Sequence, residues 1–124
     1  MTEFFAPTIQ TEKTAFDKLR VHMVDGDTME PELKSRRDYV LVAPVADYCG
    51  EGIYLVDNGL GAVLCRCAAL PGKERMIRVS YDNPVYRHGP NGGHYWSSQE
   101  FSECVLAIVV ADVKVRDSRF LKAA

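Results

Sequence analysis

Thr28 stands where a chain would present a reactive hydroxyl. It lies in Gly26-Asp27-Thr28-Met29-Glu30-Pro31, with Leu33, Lys34 and Ser35 just behind. A Gly-Asp pair turns the chain and a proline soon blocks regular structure, so one side chain is offered at the end of a strand, at the mouth of a cleft. The chemistry open to such a hydroxyl is nucleophilic attack, which needs a base to take its proton. The same spacing suits an ordinary strand-turn element in which Thr28 does no chemistry at all.

Other reactive side chains are sparse. Cys65 and Cys67 are two apart on an expected strand, so they share one side, with Arg66 opposite. Two thiols could share a metal, but no third or fourth ligand has zinc-like spacing, so both read as structural thiols and neither metal nor cofactor is expected. Cys65 as a nucleophile lacks a histidine nearby in the sequence. Cys104 reads as a small core residue. No signal peptide precedes the domain, so these three and Cys49 read as reduced thiols of a cytoplasmic protein. His22 falls on the polar side of the first strand, and His88 and His94 flank a Gly-rich loop. Arg36, Arg37, Arg66, Arg75, Arg78 and Arg87 are scattered as on a solvated face. Tyr81, Tyr86, Tyr95 and Trp96 either meet a partner or pack in the core, and both readings stay open.

The elements that must position these residues are β. A chain of 124 residues is one ordinary domain, large enough to bury its own core. Its net charge of -2 gives no bulk attraction to nucleic acid. No apolar run reaches the roughly eighteen residues of a membrane span. Residues 1–19 read as an N-terminal arm or linker, with a short helical turn over Thr11–Leu19, and residues 20–124 as the domain. Leu19, Val21 and Met23 alternate with Arg20 and His22, which places the first three on the buried side of a strand. Pro31 begins one helical turn. Tyr39–Val42, Gly52–Val56, Ala62–Ala69, Met76–Val79 and His94–Trp96 follow as strands, the last at an edge. Asn58-Gly59 marks a tight hairpin, and Ser97 with Glu100 has the spacing of a capping box. The closing strand, Val105–Val115, should be buried on both faces in its first half and on one face in its second. Such an apolar strand needs a cover, either within the domain or from a second copy.

Taken in order, these pieces resemble the C-terminal domain of LexA-like and phage repressors, the self-cleaving serine peptidase family that includes the UmuD proteins. The family's Gly-Asp-Ser-Met-Glu-Pro box stands here as Gly26-Asp27-Thr28-Met29-Glu30-Pro31. Its Val-Leu-Val strand is matched by Val40-Leu41-Val42, and Gly-Ile-Tyr-Leu-Val by Gly52 to Val56. Its Val-Lys-Arg-Leu aligns with Leu64-Cys65-Arg66-Cys67. Its Ser-Asp-Asn-Pro-x-Tyr is found as Ser80-Tyr81-Asp82-Asn83-Pro84-Val85-Tyr86 with one residue inserted, and its closing strand as Val105 to Val115. The resemblance covers roughly residues 20 to 116 and implies a mainly β LexA-like fold of bent antiparallel sheets and hairpins, with one or two short helical turns.

It also implies a mechanism that this chain has lost. The family pairs a serine nucleophile with a neutral, desolvated lysine base. Those positions hold Thr28, whose β-methyl crowds attack, and Cys65, a thiol in place of an amine. No Ala-Gly or Cys-Gly bond precedes Thr28 for cleavage. The implied protein is a pseudoenzyme with no catalytic residues: an oligomerisation domain of a phage-type transcriptional repressor. It forms a homodimer or higher oligomer through Val105, Ala107, Val109, Val110 and Val113, and reaches DNA only through a helix-turn-helix module that this sequence lacks. The alternatives are a UmuD-like accessory protein binding a protein partner, and an active peptidase using Thr28.

Overall fold

Among the described residues seven strands carry the fold: β1 (Arg20–Met23), β2 (Tyr39–Pro44), β3 (Gly52–Asp57), β4 (Ala62–Ala69), β5 (Ile77–Ser80), β6 (Gly93–Trp96) and β7 (Val105–Val113). Among the described residues, one helix, α1 (Ser98–Cys104), and a 3-10 turn at Pro84–Tyr86 complete the regular structure. These come from a computed structural model that describes residues 18–72, 76–86, 93–117 and 119. The expected helical turn at Thr11–Leu19 lies almost wholly outside the described residues, as do Arg75, Arg87 and His88. The protein is mainly β, as its sequence patterning implies. All strand pairs are antiparallel and form one open sheet in the order β1-β2-β7-β3-β4-β5-β6.

Strand alternation gives this sheet two cores, one on each face. On the first face Val40 and Val42 of β2, Ala107 of β7, Leu55 of β3 and Leu64 of β4 pack with Val24, Met29 and Leu33. The roof over them is the segment between β1 and β2. It is closed by Val24 N–H donating to the Asp38 carbonyl (2.9 Å) and Arg36 N–H donating to the Val24 carbonyl (2.6 Å). On the second face Tyr54, Val56, Cys65, Cys67, Ile77, Val79 and Val105 pack under Phe101 of α1, with Tyr48 and Trp96 against them. There Tyr54 meets Phe101 edge-on at 5.1 Å between ring centroids and stacks near Tyr48 at 5.9 Å.

Three local expectations change. The phase of β1 is inverted: His22 is half-buried, while Val21 and Met23 face outward. The reason is Val24, which must enter the first core and sets the alternation backwards from there. The Asn58-Gly59 pair makes a four-residue loop in place of a two-residue turn, because Asp57 pairs with Ala62. Asp57 and Asn58 oxygens accept from Gly59 N–H (2.8 Å) and Leu60 N–H (2.9 Å), each two residues on. The stretch after Pro31 forms hydrogen-bonded turns in place of a regular helical turn, and the Glu30–Pro31 bond is cis. The helix lies instead at α1, behind a complete capping box: Ser97 Oγ accepts from Glu100 N–H (3.1 Å) and Glu100 Oε1 accepts from Ser97 N–H (3.0 Å).

Although last in sequence, β7 pairs with β2 along one edge and β3 along the other. Each ladder slips by one residue, between Leu41 and Val42 on one side and between Leu55 and Val56 on the other. The extra residues are Val110 and Leu106, which are 49% and 43% exposed. The first half of β7 is therefore not buried on both faces throughout.

Candidate functional site

The box that offers Thr28 is the roof of the first core. Gly26 has φ +111°, a conformation that glycine adopts without strain, and its N–H donates to Ser35 Oγ at 2.8 Å. Met29 and Leu33 point down into the core, and Leu33 N–H closes a turn on the Met29 carbonyl at 2.9 Å. A loop without a ladder must find partners for its backbone elsewhere. Here they come from the segment after β5. Asn83 N–H donates to the Thr28 carbonyl (2.9 Å) and Asn83 Nδ2 to the Asp27 carbonyl (2.8 Å), while the Tyr86 hydroxyl donates to the Asp27 carboxylate. That last bond raises the Tyr86 hydroxyl's pKa, because the neighbouring carboxylate disfavours a second negative charge.

The Thr28 hydroxyl is committed as well. It donates to the backbone carbonyl of Leu64, in β4, at 2.8 Å. An amide carbonyl cannot act as a general base, so this bond holds the loop to the sheet without activating the oxygen. Cys65 is the very next residue, but strand alternation sends it to the opposite core. Its thiol lies 3.6 Å from that of Cys67, and both are fully buried. The contact with Cys67, followed by burial, drives the Cys65 pKa upward, so it stays a protonated thiol. The described lysines, Lys18, Lys34 and Lys114, are all exposed. The two positions of the expected dyad are thus close in sequence register but committed to different faces.

A second polar cluster ties the same segments together. Arg66 projects from β4 and grips Asp82 with two bonds, Nε to Oδ1 at 2.9 Å and Nη2 to Oδ2 at 2.8 Å. Its Nη2 also reaches Glu32 Oε2 at 3.2 Å. Glu32 is held above the usual carboxylate range, first by its hydrogen bond with Asp82 and then by partial burial. The expectation of a solvated Arg66 is replaced by a three-way bridge. Asp82, Asn83 and Glu32 are not candidates on sequence grounds, and Tyr86 is one only as a partner-facing or core aromatic. The signal for Asp82, Asn83 and Tyr86 is the Asp-Asn-Pro-x-Tyr run, and for Glu32 its place directly behind the box; the contact between the two stretches, over 50 residues apart, only the fold reveals.

The remaining candidates separate. Tyr81 and Tyr86 pack edge to face at 5.7 Å beside the box, Trp96 belongs to the second core and Tyr95 is exposed. His94 and Cys49 are exposed, and Cys104 is half-buried. Among the described residues no three His, Cys, Asp or Glu side chains are grouped to hold a metal, and no helix is long and apolar enough to cross a membrane. The residues expected to form a dimer surface divide. Val105 and Ala107 are 8% and 4% exposed and belong one to each core of this sheet. Val109 is half-buried against the first core, while Val110 is exposed and Val113 half-buried. No family model, curated protein or solved structure matches the chain.

Proposed function

We propose that this chain is a non-cleaving, self-associating regulatory domain, of the kind that carries the oligomeric contacts of a phage-type repressor. The observation that supports it most is the fate of the Thr28 proton. A LexA-like box is present, its hydroxyl is spent on the Leu64 carbonyl, and the aligned base position is a buried thiol on the other face. Retained turn geometry without a base fits a domain whose remaining role is binding. The junction of Asp27 with Asn83 and Tyr86 supports the resemblance, since it brings the first and fifth motifs into one structure. In such a repressor DNA is held by a separate module, and association of these domains raises the effective concentration of the tethered partner.

Intact-mass spectrometry of the chain incubated at alkaline pH tests the loss of cleavage. The full-length mass should persist both in the natural sequence and in Thr28→Ser, because serine alone restores neither base nor scissile bond. A discrete cleavage product from either would overturn the reading in favour of a peptidase using position 28.

A further inference from the structure

The loop that joins β3 to β4 carries chemistry that neither core uses. Asn58 and Gly59 stand at its tip, and residues 57–62 are all exposed, with Leu60 97% so. A side-chain amide followed by glycine places an electrophilic carbon next to an unshielded nitrogen. Gly59 has no Cβ, so its nitrogen can approach the Asn58 side chain and close a ring with it. The other described asparagine lacks this option, because Asn83 precedes Pro84, whose nitrogen bears no hydrogen.

The fold prepares both partners. Leu60 N–H donates to Asn58 Oδ1 at 2.9 Å, and the ring closed by that bond runs through Asn58 Cγ and the Gly59 nitrogen. The side chain is therefore folded back over the peptide that would attack it. The same donor draws charge out of the amide carbonyl and is placed to hold the oxyanion of a tetrahedral intermediate. Gly59 N–H donates to Asp57 Oδ1 at 2.8 Å, which sets a carboxylate within reach of the proton that must leave. Gly59 has φ +91°, and Asn58 N–H closes the loop on the Gly61 carbonyl at 3.1 Å. None of residues 58–61 belongs to either core, so the loop can move toward the attack geometry without opening the sheet.

We infer that Asn58 is a self-modifying site, converted by its own neighbour to aspartate and isoaspartate through a cyclic imide. In the first step a bond forms between the Gly59 nitrogen and Asn58 Cγ, and the bond from Cγ to Nδ2 breaks. The proton lost by Gly59 passes by way of Asp57 and solvent to the departing nitrogen, which leaves as ammonia. In the second step water opens either carbonyl of the imide, and neither step needs an oxidant or a cofactor. The backbone stays continuous, so the conversion is separate from cleavage and does not rest on the regulatory role proposed above. It adds a negative charge beside Asp57 in a chain already at -2. The isoaspartate form also routes the main chain through the side chain, one carbon longer, within the short loop between Asp57 and Ala62. Both changes load the hairpin that carries Leu55 and Leu64 of the first core and Val56 of the second.

Incubation of the full folded chain at alkaline pH, followed by peptide mapping that separates asparagine, aspartate and isoaspartate, tests this. The Asn58 peptide should convert to both products while the far-ultraviolet dichroism stays native. Gly59→Ala should slow conversion roughly tenfold or more, since a methyl group beside the nitrogen obstructs its approach. Leu60→Pro removes the N–H from Asn58 Oδ1 and should slow it several-fold, whereas Leu60→Ala keeps that N–H and should keep the natural rate. Should Gly59→Ala fail to fold, the two Leu60 variants carry the test. An Asn58 that persists in the folded chain yet converts in urea overturns the site. Equal rates in Leu60→Pro and Leu60→Ala also overturn it, since the reactivity would then belong to the Asn-Gly pair alone.

Discussion

The two faces of the sheet are roofed by different materials. Over the second core the roof is α1, which satisfies its own backbone and needs only to drop Phe101 among Tyr48, Tyr54 and Trp96. Over the first core the roof is a run of turns, and its backbone must borrow partners. Ser35, Asn83 and Asp38 supply side-chain bonds to it, Thr28 pins it to β4, and Arg66 bridges it to the segment after β5. The contrast explains why the residues that look chemical crowd into one roof. Polar groups gather where regular structure does not satisfy the chain, and a hydroxyl at such a place has a structural task before it has a catalytic one.

Substitution of the two roofs should separate packing from pinning. Phe101→Ala removes a fully buried ring and should lower unfolding stability by about 3–5 kcal/mol, and Met29→Ala, under the looser roof, by about 2–5 kcal/mol. Urea unfolding followed by Trp96 fluorescence and far-ultraviolet dichroism reads both. One shared transition is expected in each; a separate early transition in Met29→Ala alone would show that the turn roof lifts independently of the sheet. Pinning comes next in size. Thr28→Val keeps the branched shape and leaves the Leu64 carbonyl without its donor, a loss of about 1–2 kcal/mol. Thr28→Ser keeps the bond and should cost clearly less in the same titration. Equal losses from Val and Ser would mean that the methyl, rather than the hydroxyl, holds the roof.

The smallest effect concerns β1, at the margin of the first core. Burial lowers the pKa of His22 below its ordinary 6.5, and Asp25 only partly offsets this. The neutral imidazole is therefore the folded form, so its stabilising share is complete above pH 6.5 and is lost as pH falls toward the lowered folded value. The urea midpoint should drop between pH 7.5 and pH 5.5, and His22→Gln should reduce that drop. An identical pH dependence in the variant would place the titration elsewhere.

Much of the architecture was legible because alternation and turn residues are local signals. Ala62–Ala69 was read with the boundaries that β4 has, and the spacing of Ser97 and Glu100 marked the cap of α1. What local pattern could not supply was the tertiary vote on phase. Val21 and Met23 are as good a buried pair as any, until Val24 is claimed by the core and turns them outward. The same limit applies to the site. Residue type and spacing single out Thr28 and Cys65, but their commitment to opposite faces of β4 depends on which side of that strand the roof covers. For the closing strand, apolarity said that it is covered and left open by what; its place between β2 and β3 gives the answer for Val105 and Ala107.

That placement has a consequence for how the protein is made. Without β7 the sheet is two unconnected pieces, a β1–β2 pair and a β3-to-β6 meander, which share no ladder. During synthesis the inner edges of both pieces stay open until residues 105–113 leave the ribosome, and a chain stopped short of Val105 exposes two unpaired strand edges at once. Residues 105–113 thus decide whether the strands that precede them join into one sheet.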